Sequence, residues 1–280
     1  MHLGILQAVL LGVVEGLTEF LPVSSTGHLT IVEKLLGLRV DDQGVTAFTA
    51  IIQVGAIIAV ILYFRKDIVR LIAAWIRGLR NKDHRDDPDY RLAWFVIIGT
   101  IPIGIIGLLA RHLITGGLRS LWVVVVALVL WSVVMWIAER VGTKKRNEEQ
   151  LNLTDTIVIG LMQCIALVPG VSRSGATISG GLFRNLDRVA ATRFSFFLSI
   201  PALLAAGGFE AATSAKDISA GVGWGPTAIA TVISFVVGYA AIAWLLRIVA
   251  HHPITVFIAY RLLLAVLVAG LLLAGIIPAQ

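Results

Sequence analysis

Six stretches of this chain, about 45–64, 92–111, 120–138, 194–211, 224–246 and 254–277, are apolar almost throughout. Each is long enough for a helix to cross a bilayer, which takes ~20 residues. The composition agrees: of 280 residues, 58% are hydrophobic and only 14% charged. A soluble domain needs far more polar surface than that. The expected fold is an all-α polytopic membrane protein, with residues 1–280 forming a single membrane domain.

Several function classes drop out early. The basic balance, +6, invites a nucleic-acid reading. The cations are scattered between apolar blocks, though, with no aromatic platform beside them, so no nucleic-acid partner is expected. A single cysteine, Cys164, excludes an internal disulfide framework and reads as a small packed residue. The first apolar block lacks a basic leader and contains two glutamates, so a cleavable signal is not expected.

Two further apolar blocks, 3–37 and 153–183, are interrupted by Pro, Gly and hydroxyl residues. Such residues break a helix and free backbone groups, which is tolerated at membrane depth only where protein or water satisfies them. Each block therefore reads as a re-entrant helix–break–helix hairpin. The basic residues fit this count. The connection Arg65–Arg91 carries eight Lys/Arg, 139–149 four and 184–193 three, with Arg247 in the next. The opposite connections carry only Arg39, Arg111, Arg119 and Lys216. By the positive-inside rule the first group is cytoplasmic, which puts both termini outside. The first hairpin then enters from outside and the second from the cytoplasm. The run Arg80–Arg85 reads as a solvated loop. Glu33 and Lys34, near a hairpin end, are expected to snorkel.

Opposed hairpins imply an inverted-topology repeat, and the sequence carries a trace of one. At an offset of 148, Val23–Gly27 falls on Val171–Gly175, Glu15 on Gln163 and Phe48 on Phe196. The repeats are read as 1–118 and 119–280. Broken helices facing each other at a repeat interface place a substrate site near the midplane.

The unusual residues cluster at these breaks. Glu15 and Glu19, four apart, share a helix face. Carboxylates in an apolar segment imply a partner: a metal, an arginine, hydroxyls or a proton relay. In Pro22–His28, the groups of Ser24, Ser25, Thr26 and Gly27 open a helix, whose N–H groups and dipole attract anions, phosphate above all. His28 follows Ser25 by three and Ser24 by four, within reach of either hydroxyl. A hydroxyl or imidazole nucleophile with a neighbouring base is the working unit of covalent phosphoryl transfer. In the second break, Arg173 stands between Ser172 and Ser174, with Gly175 next. A guanidinium beside hydroxyls and N–H donors suits a phosphoryl group. It suits equally a salt bridge to Glu15 or Glu19. Arg261, after Tyr260 in the last span, is left open between an interface anchor and a buried pair.

The run Gly12 to Leu29 and the run Pro169 to Gly181 resemble the two signatures of the undecaprenyl-diphosphatases, the bacitracin-resistance proteins. Phe194 to Pro201 resembles a further family stretch. The resemblance implies hydrolysis of undecaprenyl diphosphate to the monophosphate, which recycles the carrier lipid for peptidoglycan synthesis. It implies the bacterial plasma membrane, help from a divalent cation and a site open to the outer face; the expected part of Glu15 and Glu19 is either to orient His28 or to bind that cation, Mg²⁺ or Ca²⁺. By motif position it assigns catalysis to Glu15, Glu19, Ser25, His28 and Arg173. Ser24, Thr26, Gly27, Ser172, Ser174 and Gly175 would bind the substrate phosphate. The partners implied are the polyprenyl diphosphate lipid and the bilayer, with a homodimer left open. Ser25 is the expected nucleophile with His28 as base, although His28 itself remains an alternative. The rival class is a transporter or flippase of lipid phosphate or a small anion.

Overall fold

The computed structural model describes residues 3–40, 42–110, 118, 120–220 and 222–279, with backbone alone at 206 and 209–220. The expected outer-side cations Arg111 and Arg119 lie outside the described residues, as does the side chain of Lys216. Most of the described residues are helical, and none forms a β-strand. The order is α1 (Ile5–Thr18), α2 (Ser25–Leu35), α3 (Gln43–Tyr63), α4 (Arg65–Arg80), α5 (Pro88–Leu109) and α6 (Leu121–Val141), then α7 (Leu153–Ile165), α8 (Arg173–Phe183), α9 (Arg188–Ala220), α10 (Trp224–His251) and α11 (Val256–Leu273).

Each expected span has its helix. Among the described residues six helices, α3, α5, α6, α9, α10 and α11, are long and apolar enough to cross a membrane. Short polar residues start several of them. The Asp42 carboxylate accepts from the N–H groups of Gly44 and Val45 to cap α3, and Asp87 caps α5 ahead of Pro88. The two interrupted blocks are helix pairs, α1–α2 and α7–α8, too short to cross singly.

Within the connection after α3, the first half is the helix α4, which no reading of the sequence above anticipates. Val69, Ile72, Ile76 and Leu79 recur every three or four residues and are exposed, while Leu71, Ala74 and Gly78 are buried. Cations flank the exposed stripe, the pattern of a helix lying in the headgroup plane. The expectation that Glu33 snorkels needs correction. It is buried, and its Oε1 accepts from the Thr49 hydroxyl at 2.8 Å.

The connections expected in the cytoplasm meet at one end of the bundle. Arg193 holds Asp67 and Glu148 at 3.0 and 2.8 Å. Arg188 pairs with Glu139, whose other oxygen accepts from the Ile254 N–H. Arg146 and Arg184 both clasp Asp155, which is fully buried. At the far end, Lys34 donates to the Pro278 carbonyl and the Leu121 N–H to that of Ala279.

The 148-residue offset extends from motif to architecture. It carries the start of α1 onto that of α7 and both ends of α2 onto those of α8. Packing partners follow: α1 lies on α10 and α7 on α5, while α3 packs on α10 and α9 on α5. Gly12 and Gly160, equivalent by the offset, make these contacts close. A Cβ on Gly12 would meet the Ala230 carbonyl of α10 at 2.5 Å; one on Gly160 would meet the Gly99 carbonyl of α5 at 2.5 Å. Gly12→Ala and Gly160→Ala should each destabilise the fold by about 1–3 kcal/mol, since helix backbone must move. Thermal unfolding in detergent measures this, and an unchanged midpoint in both variants would contradict such close packing.

Candidate active site

The two hairpins meet at their breaks, and each break ends on a serine with positive φ. Ser24 has φ 77° and Ser172 has φ 79°. Such backbone costs a non-glycine residue about 1–3 kcal/mol. Hydrogen bonds offset it. The Ser24 hydroxyl accepts from the Gly27 N–H and, across the interface, from the Gly170 N–H at 3.1 Å. The Ser172 hydroxyl accepts from the Gly175 N–H and lies 3.4 Å from the Leu21 carbonyl, to which it donates. Each cap thus closes its own helix and ties it to the opposite break.

These roles divide the expected phosphate-binding residues. Ser24, Gly27, Ser172, Ser174 and Gly175 are all buried. The Gly27 and Gly175 N–H groups are already used by the caps, and Ser174 bonds to Ser172. Ser25 is half-buried, Thr26 is exposed, and both border a cavity of about 440 Å³. The N–H groups of Ser25 and Thr26, and those of Arg173 and Ser174, open their helices without an intrahelical partner.

Glu15, Glu19, Ser25 and Arg173 line the same cavity. Glu19 joins the two halves. Its Oε2 accepts from the Ser25 hydroxyl at 2.5 Å and its Oε1 from Arg173 Nη2 at 3.1 Å. One carboxylate therefore orients a hydroxyl from the first break and a guanidinium from the second. Glu15, one turn earlier, is buried, and its Oε1 has no hydrogen-bond partner. A buried carboxylate oxygen left unpaired fits a cation or a proton arriving with substrate.

His28 is not where the spacing places it. Its Nδ1–H donates to the Ser24 carbonyl at 2.7 Å, which leaves Nε2 to accept from the Tyr260 hydroxyl at 2.6 Å. The ring is buried, is not among the cavity-lining side chains, and does not touch the Ser25 hydroxyl. The group in contact with the Ser25 hydroxyl is the Glu19 carboxylate, not His28. The salt bridge expected as one option for Arg173 is present, to Glu19. Tyr260 was given no role by sequence reasoning, and no periodic signal marks a tyrosine on α11 as a partner of α2.

The rest of the cavity has two characters. Ile103, Leu167, Ala202 and Leu203 form an apolar wall, two of them directly after the helix-interior prolines Pro102 and Pro201. Thr30, Glu33, Thr46, Thr49 and Gln53 form a polar wall toward the α2–α3 connection.

Residues 8–267 match the family model of the bacitracin resistance protein BacA. The chain belongs to the bacitracin resistance protein BacA family. Relatives within it are similar over nearly their whole length. A protein of Frankia casuarinae named undecaprenyl-diphosphatase 3 is 60% identical over 99% of this chain and 100% of its own. Undecaprenyl-diphosphatases of Cutibacterium acnes and Mycolicibacterium smegmatis are 54% and 51% identical, each over 98% of this chain and 99% of theirs. BacA-family membership also accounts for the six apolar spans: the chain is a multi-pass membrane protein.

Proposed function

We propose that this protein hydrolyses undecaprenyl diphosphate to undecaprenyl phosphate and inorganic phosphate, returning the carrier lipid to peptidoglycan synthesis and thereby conferring bacitracin resistance. Family membership supports the reaction, and the observation that carries the mechanism is the Ser25–Glu19–Arg173 chain across the two breaks. The prenyl chain lies against the apolar wall of Ile103, Leu167 and Leu203. The diphosphate meets Arg173 and the free N–H groups of Ser25 and Thr26 at the start of α2, where the helix dipole favours negative charge.

Ser25 Oγ attacks the terminal phosphorus while Glu19 takes its proton. The bond from that phosphorus to the bridging oxygen breaks, and undecaprenyl phosphate leaves. Glu19 passes that proton to the leaving phosphate; water then attacks the phosphoserine, giving a proton to Glu19, which hands it to Ser25 Oγ as the P–Oγ bond breaks and inorganic phosphate is released. Arg173 stabilises the charge on the transferring phosphoryl oxygens throughout. His28 steadies the first break through the Ser24 carbonyl, and its position away from the cavity favours Ser25 as nucleophile.

Among the described residues no cluster of three or more His, Cys, Asp and Glu is placed to hold a metal. Glu15 and Glu19 alone fit Mg²⁺ or Ca²⁺ when substrate oxygens complete the set, the usual manner for Mg²⁺. Such an ion would neutralise charge on the diphosphate.

Each half of the inverted repeat then comprises one hairpin and three spans, with the division after α6 rather than at residue 118. The equivalent packing of α5 and α10 supports this. The ion-paired end faces the cytoplasm of the bacterial plasma membrane and both termini lie outside. The cavity reaches Val40 and Thr46 at the other end, which supports an outward-facing site.

The test is phosphate release by purified protein in detergent, where no gradient exists. Release from undecaprenyl diphosphate is expected, with a fall of about tenfold or more on chelation. Inactivity with Mg²⁺ or Ca²⁺ supplied would favour the rival, a transporter or flippase of lipid phosphate.

A further inference from the structure

The largest fully buried side chain is Arg261, in the last span, and none of the described carboxylates pairs with it. Carbonyl groups surround it instead. Nη1 donates to Pro22 O at 3.0 Å and Val171 O at 3.2 Å. Nη2 donates to Gly170 O at 3.0 Å and to Leu128 O and Ala127 O at 3.3 and 3.4 Å. Nε donates to Ser132 Oγ at 3.1 Å. The fork therefore holds one carbonyl of the first break, two of the second, and the α6 backbone behind both.

A buried guanidinium without a counter-ion is costly unless its donors are satisfied. A helix break at membrane depth is costly unless its carbonyls are satisfied. Here each problem answers the other. Pro22 lies two residues before the Ser24 cap, and Gly170 and Val171 immediately precede the Ser172 cap. This one planar group bonds backbone of both breaks, in addition to the direct Ser24–Gly170 and Ser172–Leu21 ties.

We propose that Arg261 is a positioning residue for the phosphatase reaction. It clamps the two breaks in register, so that Ser25 from one and Arg173 from the other converge on one phosphoryl group. It touches neither substrate nor reacting atoms. The proposal rests on the Ser25–Glu19–Arg173 site argued above. Lysine cannot replace it, because an ammonium has three donors and no fork.

Arg261→Lys in the full-length protein tests this, assayed on undecaprenyl diphosphate in detergent. We expect kcat to fall about 30- to 100-fold, as for reacting groups displaced by ~1 Å. KM should change less than threefold, because the tail-binding wall is untouched. A double-mutant cycle with Ser172→Ala gives a readout that a general packing role would leave unmoved. The two losses should be strongly non-additive, since both loosen the same cap. Wild-type kcat in folded Arg261→Lys, or additive losses in the cycle, overturns the proposal. If Arg261→Lys does not fold, Ser132→Ala releases only Nε. A roughly threefold fall in kcat with normal unfolding is then expected, and unchanged kcat overturns the clamp. Arg173→Lys is the control for the site itself. Full activity there means the site reading has failed, whereas loss there with an active Arg261 variant means only the clamp has.

Discussion

Replacing Arg173 with lysine should lower kcat by about 100-fold or more while leaving the protein folded. The guanidinium has to hold Glu19 Oε1, at 3.1 Å, and still present donors to the cavity. A planar fork with five N–H groups does both at once. An ammonium at the end of a flexible stem reaches one partner or the other. Lysine retains the charge that balances Glu19, so the unfolding midpoint should shift little. Phosphate release and thermal unfolding, measured on the same preparation, separate the two effects. Near-native turnover would reduce Arg173 to a charge-balancing residue and leave the second break without a chemical role.

Ser25→Ala should be more damaging still, by ~10³-fold or more, because it removes the atom that attacks. Glu19→Gln should approach the same loss for a different reason: the hydroxyl keeps a partner but has no base. The distinguishing measurement is a phosphoenzyme trap with substrate labelled at the terminal phosphate. Label on Ser25, stable in acid and absent from Ser25→Ala, is the expected outcome. Acid-labile label on His28, or no label at any time point, would sink the serine pathway. The geometry bears on this choice. Both His28 nitrogens are engaged, by the Ser24 carbonyl and by Tyr260, so an attack from His28 would first have to break those bonds.

Helix geometry explains why spacing alone does not find the partner of the Ser25 hydroxyl. Ser25 and His28 are three apart on α2, which makes contact available but does not require it. Glu19 is six residues from Ser25, a separation that means nothing on a regular helix. It becomes a contact because the chain folds back between α1 and α2, bringing the end of one helix to the start of the other. In the same way, Ser24 and Ser172 carry the expected hydroxyls in the expected breaks but spend them on capping and cross-ties. Ser24 and Ser172 still border the cavity, but Ser25 and Thr26 from the first break, and Arg173 from the second, are the ones whose side chains are not spent on capping.

Much of the molecule was settled by the order of residues alone. Apolar runs of membrane length leave a helix as the way to satisfy the backbone in lipid, so each expected span has its helix. Pro, Gly and hydroxyl residues inside such runs mark where helices stop. Two breaks at one offset announce a repeat, because duplicated structure keeps the same turns. The two Ser/Gly segments and their acids, histidine and arginine are local features and were legible as such. The tertiary structure decided how they pair. Arg173 with Glu19, Tyr260 with His28 and Arg261 with both breaks are contacts across 90 or more residues. No periodicity encodes them. They form because burying a charge or a freed carbonyl in an apolar bundle is tolerable only beside its complement, and which complement arrives depends on how all the helices pack.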